Sequence, residues 1–555
     1  MKRLNSTLLA AGLATFALTA CSNETTTAAS AVPSSDARSD EPVTSIDQGA
    51  LKGVREGEVN VYRGIPFAAP PAGELRWKPP MKPADWDGVR DASAFGPSCM
   101  QPPVPPTSVY YDPPEDSSED CLSLNIWAPA DVEDAPVVVW IHGGSLRIGG
   151  AAQPVYDGTA YAERGVVFVS INYRLGVLGW LAHPDLMAES PDGLSGNYGL
   201  MDQIAALEWV EDNIDAFGGD PSNVTVMGES AGALSVTYLL TSPPAEGLFD
   251  KAIIQSTNTR NFAELGQASY DLPAAETIGA ELLDTLNLDT LEAARAADAQ
   301  NLTTRATLAG YAPSGTVDGK YVPRQLNEAF DDGDFAKVPV LAGFNSGEAR
   351  TYRMLLPKKP ETAEAYEAAI RARYGERADD FLALYPAEDM VESMLAVNRD
   401  NVFGWSTERI VRRVSESGLS AYLYLFDYCY PEMAERNLCA FHASEVPFVF
   451  STAEKLETYP PEWPKPPVEE ADVLADVLVD YWASFAATGQ PVSENGPEWR
   501  PYSDGEAYLH IDESPELRQD VYPGMFEFHE QLFQEHRAAD EGWFLGVGLG
   551  AEPLE

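Results

Sequence analysis

The feature that most constrains this chain is a serine framed by small residues between a strand and a helix. Val224-Thr225-Val226-Met227 is short and β-branched, Gly228-Glu229-Ser230-Ala231-Gly232 follows, and Ala233-Leu234 opens an apolar run. A serine on a sharp strand-to-helix turn leaves no room for large neighbours. The turn pushes the hydroxyl into open space, and the helix N-terminus brings a positive dipole end near it. A bare Gly-x-Ser-x-Gly is weak; the strand before it and the helix after it make Ser230 a candidate nucleophile.

Such a turn needs an α/β sheet around it, and the chain supplies one. Near-continuous apolar runs recur at Pro136–Ile141, Val166–Asn172, Val224–Met227, Ala252–Gln255, Val338–Ala342, Ala421–Phe426 and Ala507–Ile511. Runs of this kind suit strands buried on both faces. Amphipathic stripes lie between them. One carries Leu200, Ile204, Leu207, Val210, Ile214 and Phe217; another carries Leu474, Val477, Leu478, Tyr481 and Phe485. The alternation predicts a mostly parallel sheet with helices on both faces. Ligands sit at the carboxyl ends of such strands, where Ser230 falls.

Charge narrows the partners. The 555 residues hold 37 basic and 86 acidic side chains, a formal net charge of -49. Phosphate-rich partners would be repelled, which argues against nucleic acid and anionic membrane surfaces. The sequence points to no metal and no cofactor: no Cys/His cluster has ligand spacing.

The N-terminus carries Lys2 and Arg3, then the apolar run Leu8 to Ala20, then Cys21. This reads as a signal peptide over 1–20, too short for a spanning helix. Leu18-Thr19-Ala20-Cys21 resembles the bacterial lipoprotein box, which implies acylation of Cys21, export and a membrane link through that lipid alone. By the same resemblance, Ser22 fits the outer rather than the inner membrane. Residues 21–42 are small, polar and Pro-containing and read as a flexible tether. A single folded domain is expected over 43–540, with a tail over 541–555. Four cysteines remain: Cys99, Cys121, Cys429 and Cys439. An even number in an exported chain predicts disulfides. The local pairs 99–121 and 429–439 are the simplest of three connectivities. Pro-rich 101–114 then reads as a disulfide-closed surface loop.

Trp140-Ile141-His142-Gly143-Gly144-Ser145 follows a buried strand. Adjacent glycines leave backbone N–H groups unshielded for an oxyanion, each worth about 3–4 kcal/mol in a fixed, partly dry site. Further motifs follow in order: Tyr62-Arg63-Gly64-Ile65-Pro66-Phe67, Leu75-Arg76-Trp77, Glu119-Asp120-Cys121-Leu122-Ser123-Leu124-Asn125, Asn172-Tyr173-Arg174-Leu175-Gly176, Gly196-Asn197-Tyr198-Gly199 and Phe217-Gly218-Gly219-Asp220-Pro221. Together with the Ser230 turn, this set resembles the type-B carboxylesterases, the α/β-hydrolase branch that includes cholinesterases and bacterial broad-range esterases. Ser123 stands where a tyrosine is usual.

The resemblance implies a serine carboxylesterase acting on a small-molecule ester through an acyl-enzyme. It implies Glu348, in Gly343-Phe344-Asn345-Ser346-Gly347-Glu348, as the acid, with Ala349 where glycine is frequent. It implies His442, in Phe441-His442-Ala443-Ser444-Glu445, as the base, with Cys439 where glycine is common. The order Ser230, Glu348, His442 is that of the fold. Gly144, Ser145 and Ala231 are implied as oxyanion donors, Ser145 replacing a usual glycine. Glu229, Ser256 and Glu445 are implied as supporting residues. The loop 100–120 has Tyr110 and Tyr111 but no Trp, which argues against a choline preference. Its Pro- and aromatic-rich rim suggests an apolar entrance and short or medium acyl groups.

Overall fold

The architecture follows from eleven hydrogen-bonded strands in one sheet. The computed structural model describes residues 41–457, 462–543 and 546–552. The stretch read as a signal peptide, Cys21 and the stretch read as a tether up to residue 40 lie outside the described residues. In chain order the strands are β1 (Val54–Glu56), β2 (Val59–Pro66), β3 (Ser123–Pro129), β4 (Ala135–Ile141), β5 (Val167–Ile171), β6 (Gly219–Glu229), β7 (Lys251–Gln255), β8 (Val340–Asn345), β9 (Ala421–Phe426), β10 (Ala507–Ile511) and β11 (Glu516–Gln519). Across the sheet they run β11-β10-β9-β8-β7-β6-β4-β5-β3-β2-β1.

The strands from β5 across to β10 pair in parallel. Antiparallel pairing is confined to the two flanks. The parallel strands are the apolar runs seen in the sequence. Val137 through Ile141 are fully buried, as are Val340, Leu341 and Ala342. Polar Pro-Ser-Asn after Gly219 hid the start of β6, which begins five residues before the β-branched run; a register shift there absorbs the irregular segment.

Helices cover the sheet. α1 (Tyr198–Asn213) carries the first sequence stripe, and a 3-10 turn, Ile214–Phe217, completes it. The stop has a local cause. Gly218 turns to φ 82°, and a Cβ there would lie 2.4 Å from the Val132 carbonyl oxygen. α2 (Ala231–Thr241) leaves directly from Ser230 and is buried throughout. α3 (Val468–Thr488) carries the second stripe, and its Trp482 Nε1 donates to Gln255 Oε1 at the end of β7. Among the described residues, no helix is long and apolar enough to cross a membrane.

Several motifs away from the serine serve the fold. Arg76 grips Glu119 with two hydrogen bonds and caps the carbonyls of Ala294 and Ala297. Arg174 grips Asp202 in the same forked way, both side chains being buried. Cys99 pairs with Cys121 and Cys429 with Cys439, at Cα separations of 5.0 and 4.7 Å. Residues from 41 onward form one compact unit. The stretch read as a tail from 541 packs onto it. Trp543 is buried and donates to the Thr259 carbonyl, and Gly548 N–H donates to the Tyr374 hydroxyl.

The Cys99–Cys121 bridge closes a loop of sequence separation 22. Replacing both cysteines by serine is expected to cost about 3 kcal/mol through added unfolded-state entropy. Urea unfolding of the parent and the variant measures it.

Candidate active site

The site is built where the parallel strands end. Ser230 has φ 55° and ψ -119°, a backbone region that L-residues avoid at a cost of about 1–3 kcal/mol. The flanking glycines make this turn possible. A Cβ on Gly232 would sit 1.9 Å from the Ile141 carbonyl oxygen; one on Gly228 would sit 2.4 Å from the Gly232 carbonyl carbon. Ser230 N–H donates to the Gln255 carbonyl at 2.8 Å, which ties the turn to β7.

The structure brings Ser230, His442 and Glu348 together in one hydrogen-bonded line. His442 Nε2 lies 2.8 Å from Ser230 Oγ, and its Nδ1 bonds Glu348 Oε2. Glu348 begins the turn after β8 and is fully buried. Its Oε1 accepts from Ser256 Oγ at 2.6 Å and from Asn345 N–H at 2.9 Å. An imidazole held between a hydroxyl and a carboxylate can take the hydroxyl proton while the carboxylate fixes its tautomer.

The loops carrying Glu348 and His442 are joined to each other. Gly347 N–H donates to the Ala440 carbonyl, and a Cβ on Gly347 would sit 1.9 Å from the Cys439 carbonyl oxygen. Asn345 Nδ2 donates both to the Phe441 carbonyl and to Glu445 Oε2. Glu445 also accepts from Gln255 Nε2. Asn345 and Gln255 thus support the site although no local pattern singles them out; Gln255 ends β7 just before Ser256, and Asn345 ends β8 three residues before Glu348.

Gly143, Gly144 and Ser145 line the cavity that opens on Ser230. A Cβ on Gly143 would lie 2.7 Å from Glu229 Oε2 and 3.2 Å from Ser230 Cβ. Ser145 takes φ 59°, the left-handed region, which explains why glycine suits this position. His142 is structural here. It stacks on Tyr173 at 4.6 Å, and burial lowers it to about 4, so its ring stays neutral. Of the other histidines, His183 caps a short helix, His510 bonds Asp427, His529 is buried against Tyr385 and His536 faces Glu541.

The cavity measures about 190 Å³. The disulfide loop is more than a surface feature: Gln101, Val104, Tyr110 and Asp112 face the cavity. Tyr110 is mostly buried, and its hydroxyl donates to the His442 carbonyl at 3.0 Å. Gln153, from another segment, donates to Asp112 at the entrance, while most of the lining is apolar. A local reading of 101–114 had no access to either contact.

Three buried carboxyls surround His442. Burial raises Glu229 to about 8, and Glu445 and Glu348 add to the rise against the pull of His442. Glu229 Oε1 lies 3.2 Å from His442 Nε2. Burial resists charging of His442, yet Glu229 and Glu348 overcome it and lift the imidazole above its ordinary range. Burial and Glu348 raise Glu445, against the donors Asn345 and Gln255.

The carboxylesterase family model matches residues 40–529. The fumonisin B1 esterase of Sphingopyxis macrogoltabida is 38% identical over 488 residues, covering 85% of this chain and 86% of that protein. The para-nitrobenzyl esterase of Bacillus subtilis (strain 168) is 34% identical over 501 residues, covering 87% and 99%. Among solved structures, the Geobacillus stearothermophilus carboxylesterase EST55 superposes with a TM-score of 0.73 at 33% identity, covering 90% and 100%.

Glu229 carries a pH signature. Its folded-state value lies above its ordinary 4.5, so the native state binds the extra proton between the two. The stability this contributes is full below about 4.5 and falls as pH rises through about 8. Glu229→Gln, which mimics the protonated form, is expected to lose stability less steeply than the parent over that range. Urea midpoints at pH 5, 6, 7, 8 and 9 read the difference directly.

Proposed function

The chain belongs to the carboxylesterase family and is a carboxylic-ester hydrolase; on that premise we propose that Ser230, His442 and Glu348 carry the reaction through an acyl-enzyme. The observation that supports this most is the unbroken hydrogen-bonded line from Ser230 Oγ through His442 to Glu348. His442 Nε2 accepts the Ser230 proton as Oγ attacks the ester carbonyl carbon. Glu348 stabilises the resulting imidazolium. The N–H groups of Gly144, Ser145 and Ala231 hold the oxyanion. As the C–O bond breaks, His442 returns the proton to the leaving alcohol. Water then attacks the acyl-enzyme with His442 as base, releasing the acid and restoring Ser230.

Glu229, Ser256 and Glu445 act as supporting residues. Ser256 and Asn345 orient Glu348 from the side away from His442, while Glu445 locks the two loops through Asn345. A cavity of about 190 Å³, rimmed by Tyr110, Tyr352 and Trp463, supports esters with short to medium acyl groups.

Hydrolysis of p-nitrophenyl acetate and butyrate, abolished by a serine-reactive phosphonate, is the expected result. Ser230→Ala is expected to lower kcat by about 10⁴-fold or more with the fold intact. Retained activity in well-folded Ser230→Ala would remove the serine from the mechanism.

The same reading extends to location: an exported protein anchored at Cys21 by lipid, with a membrane link through that anchor alone. The basic start, the apolar run and the Cys21 box support it, and two disulfides suit an oxidising compartment. Labelled palmitate should enter the parent and be absent from Cys21→Ala. A Cys21→Ala protein that stays with the membrane fraction would contradict the anchor.

A further inference from the structure

The helical run from Met390 to Glu416 is interrupted by a π-turn, Asp400–Gly404. Turns of this kind disturb the helix ladder and tend to be kept where they place a side chain. Here they place Phe403, which lies outside the cavity lining and whose ring packs on the His442 imidazole at 4.9 Å, tilted by 36°. Tyr352 touches the same imidazole at 5.7 Å from the cavity wall.

A buried polar chain stands behind the turn. Arg399 makes a forked pair with Asp400 through Nε and Nη2. Asp400 also accepts from the Tyr385 hydroxyl at 2.9 Å, and Tyr385 meets His529 Nε2 at 2.8 Å. Because the Tyr385 proton goes to Asp400, His529 Nε2 must be the N–H donor. Burial lowers His529 to about 4, so it serves as a fixed neutral donor. Arg399 reaches the acid loop as well, its Nη1 donating to the Ser346 carbonyl two residues before Glu348. A cavity of about 250 Å³ lies against Ser346, Gly347 and Ala349. Side-chain packing is therefore thin on that side of the acid loop, and polar contacts replace it. Gly404 completes the fit: a Cβ there would meet the Phe344 ring at 3.3 Å.

We propose that the Arg399–Asp400 pair, backed by Tyr385 and His529, is a positioning device that holds Phe403 against His442 and the acid loop in register with it. The proposal rests on His442 being the base. None of the four polar residues touches the cavity that opens on Ser230; they act through Phe403 and the Ser346 carbonyl. Phe403 restricts tilt of the imidazole, so Nε2 stays in line with Ser230 Oγ.

The test uses the full chain carrying Phe403→Leu, which keeps an apolar side chain but removes the ring face, and Tyr385→Phe, which removes one hydroxyl. Active sites are counted with the phosphonate, and kcat is expressed per titrated site. Misplacement of a reacting group by about 1 Å costs about 10²-fold. A partial loosening is therefore expected to lower kcat by about 10-fold in Phe403→Leu and about 3-fold in Tyr385→Phe, an interpolation below that limit. KM is expected to stay within about 2-fold, and the apparent pKa of kcat/KM is expected to move, because ring placement sets the contact with Glu348. A purely structural role would lower the melting temperature or the titratable fraction and leave per-site kcat and the pH profile unchanged. That outcome in both variants overturns the proposal. Should Phe403→Leu fail to fold, Tyr385→Phe alone decides by the same criteria. Undiminished hydrolysis by folded His442→Gln is a separate result: it overturns the assignment of the base, on which the proposal depends.

Discussion

The register of the parallel strands is the constraint on which everything else in the site depends. Gly228 pairs with Ile141, Glu229 with Gln255, Gln255 with Gly343, and Gly343 with Tyr424. The last three pairs form one row across the sheet and the first lies one residue before it; β6 and β7 end at that row, and β8 ends two residues beyond it. His142, Ser230, Ser256 and the loop to Glu348 leave from there, all at the same edge. A one-residue slip in β6 or β8 would turn every side chain to the other face and separate Ser230 from Glu348. The fully buried apolar runs make such a slip expensive, since each strand would carry its neighbours' packing with it.

Burial of charge is the second organising effect. Glu229, Glu348 and Glu445 cluster around one imidazole with almost no solvent contact. A buried carboxylate is tolerable to the degree that donors satisfy it. Glu348 meets Ser256, Asn345 and His442; Glu445 meets Asn345 and Gln255; Glu229 meets only the edge of His442. Glu229, with the fewest, is the one whose proton is held to about 8.

Glycine enforces proximity in two places. Gly232 brings α2 onto the end of β4, and Gly347 brings the acid loop onto the backbone at Cys439 and Ala440. In both, a single methyl group would collide with a carbonyl oxygen at 1.9 Å. A side-chain network can be rearranged around a new atom; two backbones in contact cannot, so these positions admit no substitute without moving strands or loops.

The sequence alone determined the elements and pointed to the candidate site residues. Apolar runs of strand length, two helical stripes and the Gly-x-Ser-x-Gly turn are local patterns, and local patterns survive without knowledge of the fold. Ser230, Glu348 and His442 were legible because each lies in its own short motif. What the tertiary structure decided is everything that joins segments remote in the chain. It sent Tyr110 under His442 and Gln153 to Asp112. It placed Asn345 and Gln255 on Glu445, Phe403 on the imidazole, and Trp543 on Thr259. The reason is physical. A side chain's partner tens or hundreds of residues away is set by strand order and loop path, and neither leaves a periodic trace in the residues themselves.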